Sequence, residues 1–134
     1  MRRLLAACVV ACLALAGAQA TGAATRTRVP RDCVHEAFKP RKIVIACGDG
    51  NLFLSGMRWS SWSSTVARGS GTANANDCTP NCAAGHFHTY PARVKLSRPG
   101  TCPHHGRQFM TLTITYPHAA PTRLHHYSTP IVCP

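Results

Sequence analysis

Met110-Thr111-Leu112-Thr113-Ile114-Thr115-Tyr116 alternates a large apolar side chain with threonine at every step. Successive side chains of a strand point to opposite faces, so this period of two gathers Met110, Leu112, Ile114 and Tyr116 on one side. Thr111, Thr113 and Thr115 fall on the other, where β-branched hydroxyl residues suit a pleated, half-solvated surface. The stretch is therefore predicted to be a strand with its apolar face inward.

The same logic extends along the chain. Val94 and Leu96 alternate with Arg93, Lys95 and Ser97. Ile43, Ile45 and Cys47 share one face of a short run that stops at Gly48-Asp49-Gly50-Asn51, a cluster of turn formers. Leu52 to Trp62 is apolar on both faces and interrupted by Gly56, the pattern of a central strand carrying a bulge. Thr65 to Ala75 alternates small residues with Gly69 and Gly71 and reads as an extended, weakly specified strand. No window carries a 3.6-residue apolar stripe with caps. The fold class predicted is all-β, a small antiparallel sandwich or barrel.

Cysteine usage sets the compartment. Arg2 and Arg3, the apolar run from Leu4 to Ala16 and the small-residue end Ala18-Gln19-Ala20 have the layout of a secretory signal cleaved after Ala20. The run is shorter than the roughly 20 residues that span a bilayer, and no later segment is closer. Cys8 and Cys12 lie within the apolar run rather than at its end, which argues against a lipidated cysteine. The remaining six, Cys33, Cys47, Cys78, Cys82, Cys102 and Cys133, form an even set on an exported chain. Such a set reads as three disulfides stabilising a small extracellular domain. Spacing leaves the connectivity open. Pairing in sequence order is the simplest arrangement, with Cys78 and Cys82 closing around Pro80-Asn81. In the chain-entropy view that short loop contributes about 2 kcal/mol, the Cys33–Cys47 loop about 3 kcal/mol, and a Cys102–Cys133 loop somewhat more.

Three regions follow: a signal over 1–20, a small, polar and basic lead-in over 21–32 expected to be flexible, and one disulfide-linked β domain over 33–134. Without Arg2 and Arg3, the 15 Lys and Arg fall to 13 against four acids, a formal charge of +9 for the exported chain. A balance so lopsided favours anionic polymers as partners, whether wall phosphates, acidic polysaccharide or nucleic acid. Arg26, Arg28, Arg31, Lys39, Arg41 and Lys42 cluster near the mature N-terminus and are the candidate anion-binding residues.

Catalytic constellations can be tested nearly by exhaustion. Asp49 and Asp77 sit in turn environments and Asp32 in the lead-in, so only Glu36 lacks an obvious local role. A glycosidase needs two facing carboxylates, and no pair recommends itself. The serines around Trp62 are not in a G-x-S-x-G elbow. His86 and His88, two apart on an extended chain, could share a metal with a third ligand from His104, His105, His118, His125 or His126. There is no H-E-x-x-H and no C-x2-C, so neither metal nor cofactor is assigned. A nuclease-like hydrolase remains the alternative, with Glu36, His86, His88 and Arg58 as base, acid and phosphate-holding types. Trp59 and Trp62 read as core rather than as a stacking platform.

Several runs taken together, Ala46-Cys47-Gly48-Asp49-Gly50-Asn51, Trp59-Ser60-Ser61-Trp62, Asn76 to His88 and Tyr90-Pro91, resemble an uncharacterised family of small secreted actinobacterial proteins. The resemblance spans roughly Cys33 to Tyr116. It implies export and a shared fold, and it carries no catalytic residue. The expectation is a monomeric extracellular domain without enzymatic activity that binds or associates with anionic polymers.

Overall fold

The computed structural model describes residues 26–134. The expected signal over 1–20 and residues 21–25 lie outside the described residues. The regular structure is entirely strand: β1 Val29–Pro30, β2 Glu36–Ala37, β3 Ile43–Val44, β4 Leu52–Trp62, β5 Ala67–Asn76, β6 Phe87–Cys102, β7 Gly106–Thr115 and β8 His126–Pro130. No described helix is long and apolar enough to cross a membrane. β1 and β2 form a two-stranded sheet, and β3 to β8 form a six-stranded antiparallel meander in sequence order. The meander curls into a half-barrel whose edge strands β3 and β8 both border one apolar seam.

The concave face holds the core. Leu54 and Met57 from β4, Ala67 and Ala73 from β5, Ala92, Val94 and Leu96 from β6, and Leu112 and Ile114 from β7 are all buried, with Tyr116 just beyond. β5 carries small residues because β4 leans over it. A Cβ on Gly71 would meet Met57 Sδ at 2.6 Å, and one on Gly69 would meet the Trp59 ring at 2.9 Å. Gly56, with φ at 60°, sits in the first of two register shifts in β4, between Ser55 and Arg58. The expected bulge at this glycine is therefore present.

The strand read from 110–116 is in place, with one departure. Leu112, Ile114 and Tyr116 are buried and Thr115 is exposed, but Met110 is only half-buried. Phe109 and Gln108, neighbours on opposite faces, are both fully buried. The start of β7 is covered on both sides because Trp62 packs against Phe109 at 5.5 Å and the segment before β1 lies along its free edge.

From residue 26 on, that segment departs from the flexible lead-in expected over 21–32, of which 21–25 lie outside the described residues. Arg26 and Arg28 are exposed while Thr27 and Val29 are buried, so from residue 26 the chain alternates as a strand does. Arg28 donates its N–H to the Arg107 carbonyl and accepts from the Phe109 N–H, while Val44 donates to the Arg31 carbonyl. Residues 28–31 thus stitch β7 to β3 across the open side of the half-barrel. Val29, 0% exposed, fills the seam. Free strand edges are costly when left unpaired, and a four-residue alternation is too short to register as periodicity.

Three disulfides join Cys33 to Cys47, Cys78 to Cys82 and Cys102 to Cys133. The pairing follows sequence order. Three such bonds belong to an oxidising, extracellular type of compartment.

Candidate anion-binding surface

The six basic residues singled out near the N-terminus do not form one patch. Arg26 and Lys39 flank Phe38, with the guanidinium 5.0 Å and the ammonium 5.4 Å from its ring centroid. Lys42 lies 4.7 Å over Phe53. Arg31, Arg41 and Lys42 border a shallow depression with Asp32 at its rim, and Arg31 is partly neutralised by that acid at 3.5 Å. Arg28 stands exposed in the strap between β7 and β3. Cation–ring contacts of this kind tie down the side chains, so part of the cluster serves the fold.

A second basic surface arises only from strand register. Arg68 on β5 lies directly opposite Lys95 on β6, and the same rung continues to Thr113 and Ser128. The next rung runs Arg58, Ser70, Arg93, Thr115, His126 from β4 to β8. All four of Arg58, Arg68, Arg93 and Lys95 are exposed, and none takes part in an ion pair among the described residues. They point to the outer face because their neighbours Met57, Ala67, Val94 and Leu96 fill the core. Like charges directly across a ladder repel, and no carboxylate relieves them here.

The carboxylates are all engaged elsewhere. Asp32 accepts the N–H groups of Val34 and His35 and holds a pKa of about 2, with the Val34 bond the largest cause. Asp49 accepts from Asn51 N–H, which lowers its pKa. Asp77 accepts from the backbone of His86 and Thr79 and pairs with His88 Nε2 at 2.9 Å. Those bonds, the His86 N–H foremost, hold its carboxyl well below the usual carboxylate range. Glu36 is different. Its side chain is 5% exposed, with Oε1 3.5 Å from His105 Nδ1 and no hydrogen-bond partner.

The four nuclease-type residues do not converge. Glu36 meets His105, in the turn beyond the end of β6. His86 and His88 lie at the other end of that 16-residue strand. Arg58 is on the outer face. Among the described residues, no three His, Cys, Asp or Glu side chains are grouped to hold a metal. Trp59 and Trp62 stack edge-to-face at 4.6 Å, and their indole N–H groups donate to the carbonyls of Pro40 and Thr27. They pack against the core, as the sequence led one to expect.

The chain matches no protein family, no curated protein and no solved structure.

Proposed function

We propose that this is a secreted, monomeric, non-enzymatic protein that associates with anionic polymers at the cell envelope or in the medium. Export would be directed by residues 1–20, which would then be removed. The observation that carries the reading is the segregation of charge: Arg58, Arg68, Arg93 and Lys95 share one exposed face on which no acid stands, while every carboxylate is bound in a turn or buried. A surface that keeps repelling cations side by side gains free energy when a polyanion binds it and gives up its condensed counterions to bulk solution.

Retention on phosphocellulose, eluted by a salt gradient, tests the proposal. The mature chain should bind at low salt and elute as salt rises, because counterion release makes such affinity fall steeply with ionic strength. Passage at low salt without retention, or elution indifferent to salt, would end it. Turnover of RNA or polysaccharide that disappears in Glu36→Gln would replace it with the hydrolase alternative.

A further inference from the structure

The outer face also says something about which polyanion. Two shallow depressions, of about 420 and about 350 Å³, share Ser70 and Arg93 and so form one open trough along β5 and β6. Arg58 stands on its β4 bank and Thr113 and Thr115 on its β7 bank, with Arg68 and Lys95 at one end. The cations turn a corner across the sheet. Arg93 and Lys95 project from the same face two residues apart, about 6.6 Å by strand rise, and Arg68 and Lys95 are cross-strand partners at about 5 Å.

The donor balance of the trough selects among polyanions. Arg and Lys only donate hydrogen bonds, while Ser and Thr hydroxyls rotate to donate or accept. No Asp, Glu, Asn or Gln side chain lines either depression, and neither does any Phe, Tyr or Trp. A nucleic acid brings base faces that single-strand binders stack on successive aromatic rings, and the lining offers a single imidazole, that of His126. An acidic polysaccharide brings a dense set of hydroxyl donors that need fixed acceptors, and these too are missing. A phosphodiester chain with short polyol linkers presents mostly acceptor oxygens, one anionic group per repeat, and a narrow profile that an open trough admits.

Resting on the anionic-polymer reading above, we propose that the trough walled by Arg58, Arg68, Arg93 and Lys95 seats a polyol phosphodiester chain. Arg68, Arg93 and Lys95 would engage consecutive phosphates, and Ser70, Thr113 and Thr115 would donate to the oxygens between them. The phosphate track follows Arg93 and Lys95 along β6 and then crosses to Arg68 on β5, so the register of β5 against β6 sets the spacing.

Three probes matched in charge test this with the intact disulfide-linked protein: synthetic poly(glycerol phosphate), a single-stranded oligodeoxynucleotide and oligogalacturonate. The glycerol phosphate polymer should bind at least tenfold tighter than the other two. Its binding should shift the amide resonances of residues 68–70, 93–95 and 113–115. With three phosphate contacts the slope of log K against log salt should be about −2, and Arg68→Gln with Lys95→Gln should reduce its magnitude by about 1.4. Arg26→Gln with Lys39→Gln should leave it unchanged. Equal affinity for all three probes, tighter binding of the oligonucleotide, or resonance shifts confined to the N-terminal basic residues would overturn the assignment of ligand and trough while leaving general polyanion binding intact. Failure to bind any of the three at low salt would overturn both. Should the double variant fail to fold, the resonance map of the wild-type protein and the single variant Arg93→Gln decide the question.

Discussion

At the scale of single residues, two kinds of side chain do work that composition hides. Asp77 is a turn carboxylate in sequence, but in the fold it gathers Thr79 N–H, His86 N–H and the His88 ring around one group. Its folded pKa is depressed, so its contribution is present above the unfolded value of 3.8 and is lost as pH falls through the folded one. Asp32, depressed to about 2, adds a loss in the same direction over the interval from 3.8 down to 2. Thermal melts should therefore be flat near neutrality and fall below about pH 4. Asp77→Ala should melt lower at pH 6 and show a shallower acid decline, and an unchanged acid limb would refute this role. The glycines of β5 act by what they lack. Gly69→Ala places a methyl 2.6 Å from the Arg58 carbonyl, and Gly71→Ala places one 2.6 Å from Met57 Sδ. Each should destabilise by about 1–3 kcal/mol in urea titration, the usual cost of overpacking. Gly48→Ala, where nothing lies within 4 Å, should be close to neutral.

At the scale of elements, legibility tracked how much apolar contrast each strand carries. β7 was readable because Leu112, Ile114 and the threonines between them alternate without exception. Leu112, 1% exposed, should therefore cost about 2–5 kcal/mol on truncation to alanine, and Thr113→Ala far less. Comparable unfolding midpoints for the two would contradict the register. β6 was readable only around Val94 and Leu96, although it runs from Phe87 to Cys102. Its prolines mask the rest, since proline normally marks an edge or the end of a strand. Here that rule is satisfied locally. Pro91 pairs with Thr72 of β5 where β7 has already ended, and Pro99 pairs with Phe109 of β7 where β5 has ended. Each proline occupies a stretch with a neighbour on one side only. A staggered meander makes such positions, and stagger is a property of several strands that no single window contains. The same holds for the basic trough. Arg93 and Lys95 were outward by alternation, but Arg58 and Arg68 joined them only through the register of β4 against β5 and β5 against β6.

At the scale of the molecule, an open meander has two edges to protect, and this one uses its own N-terminal segment to cover the gap between them. Residues 28–31 bond to β7 on one side and β3 on the other, and Val29 is sealed between Ile43, Leu112 and Ile131. The C-terminal segment completes the seam: Gln108 Nε2 donates to the Val132 carbonyl, and Cys133 is tied back to Cys102. Replacing both Cys102 and Cys133 with serine reopens a 31-residue loop in the unfolded chain and should cost about 3–4 kcal/mol. The strap itself gives the sharper test, because charge and structure make opposite demands on it. If residues 26–31 were a basic tail, deleting them would weaken polyanion binding and leave stability alone. As a strap, their removal loses the burial of Val29, about 1.5–3 kcal/mol, and uncovers backbone groups of Arg107, Phe109 and Val44, at about 0.5–1.5 kcal/mol per lost bond. A mature chain beginning at Asp32 should melt more than roughly 10 °C below the full-length protein, with earlier amide exchange at Val44 and Phe109. Neutralising Arg26, Arg28 and Arg31 together as glutamine keeps the strap and should leave the melting temperature within a few degrees. Equal stability of the truncated and full-length chains would return these residues to the status of a tail.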